Sequence, residues 1–134
     1  MPTRQQIKSA GEFYVASELS RRGYNIGLTI GNLERVDLLA EKQNVRLSIQ
    51  VKAIRRRRNN SFQITNNQIV DNYWYVFVNI NSENLNNYEC AILRGDEVRN
   101  RLRMPQHHAR NGLRISILNI AEYYNSWNRL EPEH

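Results

Sequence analysis

Strict alternation of apolar and polar residues in Val45–Ile54 constrains the fold of this chain most strongly. Side chains point to opposite faces of a β-strand in turn. Ile49 and Val51 therefore share one face, and Gln50 and Lys52 stand side by side on the other. This pattern predicts a strand whose apolar face enters the core and whose second face carries an amide beside an ammonium group.

In the preceding segment, Val36–Glu41, the apolar residues Val36, Leu38 and Ala40 share the core face, and Asp37 points the other way with Leu39. A short polar turn at Gln43-Asn44 separates this segment from the next strand. A two-residue turn predicts a β-hairpin and determines which residues face each other across it. In that register Asp37 lies opposite Gln50, with Cβ atoms about 4.5–5.5 Å apart. The sequence thus predicts that a carboxylate, an amide oxygen and the Lys52 ammonium meet on one patch of sheet.

The remaining elements predict an α/β protein with one sheet and helices on its faces. A chain of 134 residues suggests one domain, residues 1–134, with a core of about 3–93 and a C-terminal extension of about 95–128. Besides the hairpin we expect helices at Thr3–Arg22, 95–104 and Ile120–Trp127 and a short helix at Asn66–Asp71. We expect further strands at Tyr24–Ile30, Trp74–Ile80, Tyr88–Arg94 and Arg114–Leu118.

Charge gives the first indication of a partner. The chain has 19 basic and 13 acidic residues, a net charge of +6, and 16 of its basic residues are arginines. The guanidinium group grips phosphate with two donors at once, so this bias favours a polyanion such as nucleic acid. Solubility alone is the alternative explanation.

The single cysteine excludes an intrachain disulfide. The absence of a long apolar run predicts that the chain has no membrane span and is cytoplasmic.

The predicted cluster of Asp37, Gln50 and Lys52 has a chemistry of its own. Two oxygen ligands with room for water suit Mg²⁺, which keeps several of its waters. Lys52 could stabilise charge on a phosphate or orient an attacking water. The alternative is a half-exposed sheet face whose polar side chains merely meet solvent. Aspartate is depleted in strands, however, and the chain has only three aspartates.

The first helix contributes a fourth candidate. Glu12 falls on the same helical stripe as Val15, Ala16 and Leu19. A carboxylate in that position either reaches water at the edge of the stripe or is directed at a site.

These residues carry a resemblance. Gly11-Glu12 in a helix that ends at Gly23, residues 36–40 (Val-Asp-Leu-Leu-Ala) and residues 49–52 (Ile-Gln-Val-Lys) resemble the PD-(D/E)XK nuclease superfamily. The pattern is similar to archaeal Holliday-junction resolvases and Mrr-like nucleases and covers roughly residues 3–93. It implies a restriction-endonuclease-like core, with a helix and then a mixed β-sheet in the order α-β-β-β-α-β, flanked by helices.

The resemblance also implies an activity, the Mg²⁺-dependent hydrolysis of a phosphodiester, with Mn²⁺ as the alternative ion. Glu12, Asp37 and Gln50 match the metal-binding positions, and Lys52 matches the lysine of the motif. Gln50 departs from the usual second acid, as in Mrr-like members, and removes one negative charge. A catalytically inactive nucleic-acid-binding or accessory module is therefore the alternative function.

A run of four arginines, Arg55–Arg58, follows Lys52 directly. We expect it to form a basic loop beside the proposed site and to contact DNA phosphates without regard to sequence. A solvated loop is the alternative. The small size of the chain and the resolvase resemblance also suggest a homodimer.

Overall fold

The computed structural model describes residues 2–29, 36–56, 61–81, 83–102 and 113–132. Two α-helices and seven strands follow one another along the chain, with 3₁₀ turns between some of them. They are α1 (Arg4–Arg21), β1 (Asn25–Leu28), β2 (Leu38–Lys42), β3 (Val45–Arg55), β4 (Ser61–Ile64), β5 (Trp74–Ile80), β6 (Tyr88–Arg94), α2 (Gly95–Arg101) and β7 (Leu113–Ser116).

Helix α1 begins at a capping box and packs closely on the sheet. The Thr3 hydroxyl accepts a hydrogen bond from the Gln6 amide at 3.1 Å, and the Gln6 side chain accepts one from the Thr3 amide at 2.8 Å. A Cβ atom on Gly11 would lie 2.7 Å from the Cβ of Ala53, so only glycine permits this approach. The next residue, Glu12, is thereby held beside the sheet.

The main sheet has five strands in the order β1-β2-β3-β5-β6. Strands β2 and β3 form the predicted hairpin, in which Leu38 pairs with Ile49, and the register derived from the sequence is confirmed. Gln43 and Asn44 both have positive φ, as a two-residue hairpin turn requires. Strand β3 runs parallel to β5, whereas the other neighbours are antiparallel, so the sheet is mixed.

Both faces of this sheet are covered over its centre. Helix α1 packs on one face and forms what we call the helix-side core, which includes Val15, Leu19, Leu38, Ile49, Val51, Val76 and Ile92. The second sheet, β4 with β7, packs on the other face with α2 and forms the strand-side core, which includes Phe62, Ile64, Tyr75, Phe77, Leu93, Val98 and Ile115. The expectation of a half-exposed second face is therefore wrong for the centre of the sheet.

The α/β class, the flanking helices and the mixed sheet are confirmed, but two predicted helices are not α-helical. The segment predicted as Asn66–Asp71 forms one 3₁₀ turn, Asn66–Gln68. The predicted C-terminal helix is replaced by two 3₁₀ helices, Leu118–Tyr123 and Trp127–Leu130. Asn125 lies between them with φ +60°, and its amide donates to the Cys90 carbonyl at 2.7 Å, which ties this turn to β6.

None of the helices in the described ranges has both the length and the apolar character needed to cross a membrane.

Candidate active site

Asp37 immediately precedes β2, and its side chain accepts a hydrogen bond from the backbone of β3. Its amide donates to the Ile49 carbonyl at 2.9 Å, one residue out of the hairpin register, in which Leu38 pairs with Ile49. The Asp37 Oδ2 atom accepts a hydrogen bond from the Val51 amide at 2.8 Å. One carboxylate oxygen is thus committed to the backbone, and the side chain is held in place at the edge of the hairpin.

Glu12 on α1 lies next to Asp37. Its pKa is raised above 4.5, first by burial and then by the neighbouring Asp37 carboxylate, while Lys8 one helical turn earlier opposes the shift. Two carboxylates held together repel each other when both are ionised. The protein therefore keeps negative charge at this point at some cost to its own stability.

Gln50 lies on the opposite face of β3 from Ile49 and is only 8% exposed. Its Oε1 atom is buried and accepts no hydrogen bond from any residue in the described part of the chain. Leaving a buried acceptor unpaired costs about 1–3 kcal/mol. Such an atom is what a site for a cation or a donor group would supply.

Lys52 stands two residues after Gln50 on the same face and is half-buried. Burial lowers the pKa of its ammonium group below 10.5; Asp37 acts in the opposite direction, and Lys8 lowers the pKa further. The structure therefore places Asp37 within electrostatic reach of both Glu12 and Lys52, and Gln50 lies two residues before Lys52 on the same face of the strand.

The donor set of this cluster suits a hard divalent cation. It offers two carboxylates and one unpaired amide oxygen, and Mg²⁺ needs few protein ligands because it keeps several waters. In the described ranges no three His, Cys, Asp or Glu side chains come together in a way that could hold a metal ion. A cation here would consequently depend on the Gln50 amide as its third protein ligand.

Replacing Glu12 with glutamine is expected to stabilise the metal-free protein at neutral pH, raising Tm by roughly a few degrees. Because the pKa of Glu12 is higher in the folded state than 4.5, the wild-type protein loses stability as the pH rises through that folded pKa. Glutamine carries no charge, so the gain should disappear below pH 4.5. Thermal melts in EDTA at neutral and acidic pH measure both effects.

The matched control is Glu41→Gln, which removes a carboxylate that is 46% exposed and paired with Arg46 at 2.9 Å. Exposed pairs of this kind contribute about 0–1 kcal/mol, so its Tm should stay nearly unchanged. A Glu12→Gln protein that is equally or less stable at neutral pH would show that Glu12 is not under electrostatic strain.

The four arginines predicted to contact DNA do not form a uniform exposed loop. Arg55 is the last residue of β3 and only 9% exposed, so its expected place in a basic loop is wrong. Arg56 is exposed, but its guanidinium group pairs with Glu89 at 2.7 Å. Arg57 and Arg58 lie outside the described residues.

A cleft of about 650 Å³ opens beside Lys52. Its described lining includes four basic side chains, Arg4, Lys52, Arg55 and Arg114, and no acidic side chain. Lys52 thus stands between the acidic cluster and a basic cleft.

Reasoning from the sequence missed three of these charged residues. Lys8 lies four positions before Glu12, and this helical spacing could have indicated their proximity. For Arg4, no spacing in the sequence indicates that it lies near the site. Arg114 reaches the cleft through the pairing of β7 with β4, in which Gln63 faces Arg114. That contact joins segments about fifty residues apart, and no local pattern reveals it.

Comparison with known proteins bears on the fold. No protein-family model matches this chain, and no curated protein matches it. The solved structure of a bacterial homing endonuclease is similar to it, with a TM-score of 0.64 over 97% of this chain and 92% of that one, at 12% sequence identity. The chain therefore has a nuclease-like α/β fold.

Proposed function

We propose that this protein hydrolyses phosphodiester bonds in DNA with the help of Mg²⁺ or Mn²⁺. One observation carries the proposal: Asp37 lies within electrostatic reach of both Glu12 and Lys52, and Gln50, two residues before Lys52 on the same face of β3, has a buried oxygen with no partner among the described residues. The fold likeness to an endonuclease and the net charge of +6 support it. The sequence resemblance to PD-(D/E)XK nucleases, which assigns the same four residues, belongs to this proposal.

In this proposal Asp37, Gln50 and Glu12 would hold the ion. When bound, a divalent cation polarises a phosphoryl oxygen and offsets the charge that develops during the displacement. Binding would also relieve the repulsion between Glu12 and Asp37 and give the Gln50 oxygen a partner. The same features that destabilise the metal-free site would thus favour the occupied one.

Lys52 and Glu12 would act on the reacting groups. The Lys52 ammonium would donate hydrogen bonds to the phosphoryl oxygens as negative charge accumulates on them. The Glu12 carboxylate would also orient the attacking water and accept its proton. The water oxygen forms a new bond to phosphorus, one ester P–O bond breaks, and the departing oxygen is protonated.

The direct test is incubation of labelled plasmid, linear, single-stranded and branched DNA with Mg²⁺ or Mn²⁺. Cutting that depends on the ion and stops in EDTA is the expected result, and the four substrates rank the preferred structure. If no substrate is cut with either ion, the hydrolytic function is wrong.

An inactive nucleic-acid-binding module is the second candidate, because Gln50 leaves the site one negative charge short. The two candidates differ in metal binding. A working site should be stabilised by about 2.7 kcal/mol when free Mg²⁺ is about a hundredfold above its Kd.

Thermal or urea unfolding with and without Mg²⁺, at matched ionic strength set with KCl, measures this stabilisation. An Asp37→Asn protein serves as the control, since it should lose the response to Mg²⁺. DNA binding without any stabilisation by Mg²⁺ would favour the inactive module.

A further inference from the structure

We propose that the cleft lined by Arg4, Lys52, Arg55 and Arg114 binds the backbone phosphates of one DNA strand beside the bond to be cut. The inference rests on the proposed function, because Lys52 belongs to both the cleft and the candidate active site. It adds two residues, Arg4 and Arg114, and assigns the second sheet a role in holding substrate.

The pairing of the arginines is the first argument. Eight described arginines form ion pairs with an acidic side chain; they are Arg21, Arg22, Arg46, Arg56, Arg94, Arg99, Arg101 and Arg129. Arg4 and Arg114 have no acidic partner within the described ranges, and both line the cleft. Positive charge that the fold leaves unbalanced is therefore concentrated beside Lys52.

The position of Arg4 is the second argument. It is the first residue of α1, where the helix dipole favours acidic residues and disfavours cations. The first turn of α1 contains no acidic residue. Helix stability alone does not account for an arginine at this position, whereas a bound anion would reverse the electrostatic cost.

Arg114 reaches the cleft from the second sheet. It lies on β7, and its guanidinium group donates to the Ser61 hydroxyl on β4 at 3.3 Å. Among the described residues this one weak bond leaves most of its five donors for a ligand. The guanidinium fork matches the geometry of a phosphate group.

The size of the cleft selects the class of ligand. A volume of about 650 Å³ is typical of small-molecule sites and cannot enclose a duplex. It can accept a short stretch of one sugar–phosphate backbone. Arg4 from α1 and Arg114 from β7, which both line the cleft, would then contact phosphates near the bond beside Lys52.

The test measures binding of a fluorescein-labelled DNA duplex by anisotropy in EDTA, where no cutting occurs, over a range of salt concentrations. Each phosphate contact contributes about 0.9 to the slope of log K against log salt. Arg4→Gln and Arg114→Gln should each lower the slope by about 1 and weaken binding roughly tenfold. The double variant should lower the slope by about 2.

Two further variants separate the cleft from a general effect of charge. Arg46→Gln removes an equal charge from the far end of β3, where Arg46 pairs with Glu41, and should leave the slope unchanged. Arg114→Lys keeps the charge and should retain the slope, which guards against misfolding as the cause of lost binding. Unchanged slopes in both cleft variants, or an equal loss in Arg46→Gln, would overturn the proposal.

Failure of this inference can be told apart from failure of the proposed function. If the wild-type protein cuts DNA but the cleft variants bind and cut as it does, the cleft assignment is wrong and the nuclease assignment stands. If the cleft variants lose binding as expected but the wild-type protein cuts nothing with Mg²⁺ or Mn²⁺, the cleft assignment stands alone.

Discussion

An Asp37→Asn protein is expected to fold normally and to cut DNA at least about a thousandfold more slowly than the wild type. Asparagine keeps an oxygen that can accept the hydrogen bond from the Val51 amide, now 2.8 Å from the carboxylate. It removes the charge that would hold the ion. A bound cation supplies several kcal/mol of charge stabilisation, and about 1.4 kcal/mol corresponds to a factor of ten in rate. Initial cleavage rates at saturating Mg²⁺ measure the loss.

The choice of asparagine matters, because alanine would remove two functions at once. Asp37→Ala leaves the Val51 amide without an acceptor, which costs about 1–3 kcal/mol of stability. The matched control is Asp71→Asn, which neutralises an aspartate that is 68% exposed and paired with Arg99. If Asp37→Asn cuts at nearly the rate of the control, Asp37 does not hold an essential ion.

Lys52→Met is expected to lower the cleavage rate by about a hundredfold to a thousandfold, as loss of one donor to a developing negative charge does in other enzymes. Methionine preserves the apolar stem. The free energy of unfolding should rise, because burial already lowers the pKa of Lys52 and so disfavours its charged form in the folded protein. This destabilisation of the wild-type fold is present at pH values below the pKa of Lys52 in the folded protein, and it fades as the pH rises toward 10.5. The stability advantage of Lys52→Met should therefore fade over the same pH range.

The pH profile of the wild-type protein offers an independent check on Lys52. Only the ammonium form can stabilise phosphoryl oxygens, so cleavage should decline as the pH rises through the lowered pKa, before 10.5 is reached. Lys8→Met is the control, since Lys8 lowers the pKa of Lys52 and its removal should move this decline to higher pH. A Lys52→Met protein that cuts DNA at the wild-type rate would remove Lys52 from the mechanism.

Several features of this protein were predictable from the sequence because they depend on neighbours along the chain. The capping residue Thr3 starts α1 and Gly23, with φ +96°, follows its end, so the first helix was predicted almost to the residue. The turn at Gln43-Asn44 sets the hairpin register, in which Leu38 pairs with Ile49, whereas the predicted pairing of Asp37 with Gln50 lies beyond the paired residues of β2. The extent of the domain, the cytoplasmic location and the homodimer remain predictions.

Other features depend on contacts between distant segments and could not be read in this way. Arg55 belongs to a run that resembles an exposed loop, yet its pairing with Ile80 on β5 extends the strand and buries it. The C-terminal segment has a helical pattern, but contact with Cys90 on β6 divides it into two 3₁₀ helices. Tertiary contacts overrode local preference in both places.

In the candidate site, too, some features follow from the local sequence and others only from tertiary contacts. Alternation and a two-residue turn act within about twenty residues, and they set the register of β2 against β3 and place Gln50 and Lys52 on the same face of β3. The approach of Glu12 to Asp37 required α1 to pack on β3 through Gly11. The basic cleft required β7 to pair with β4, about fifty residues away. Local geometry therefore determined the hairpin. The charge and burial around it followed from packing between distant segments, whose contacts no local sequence pattern predicts.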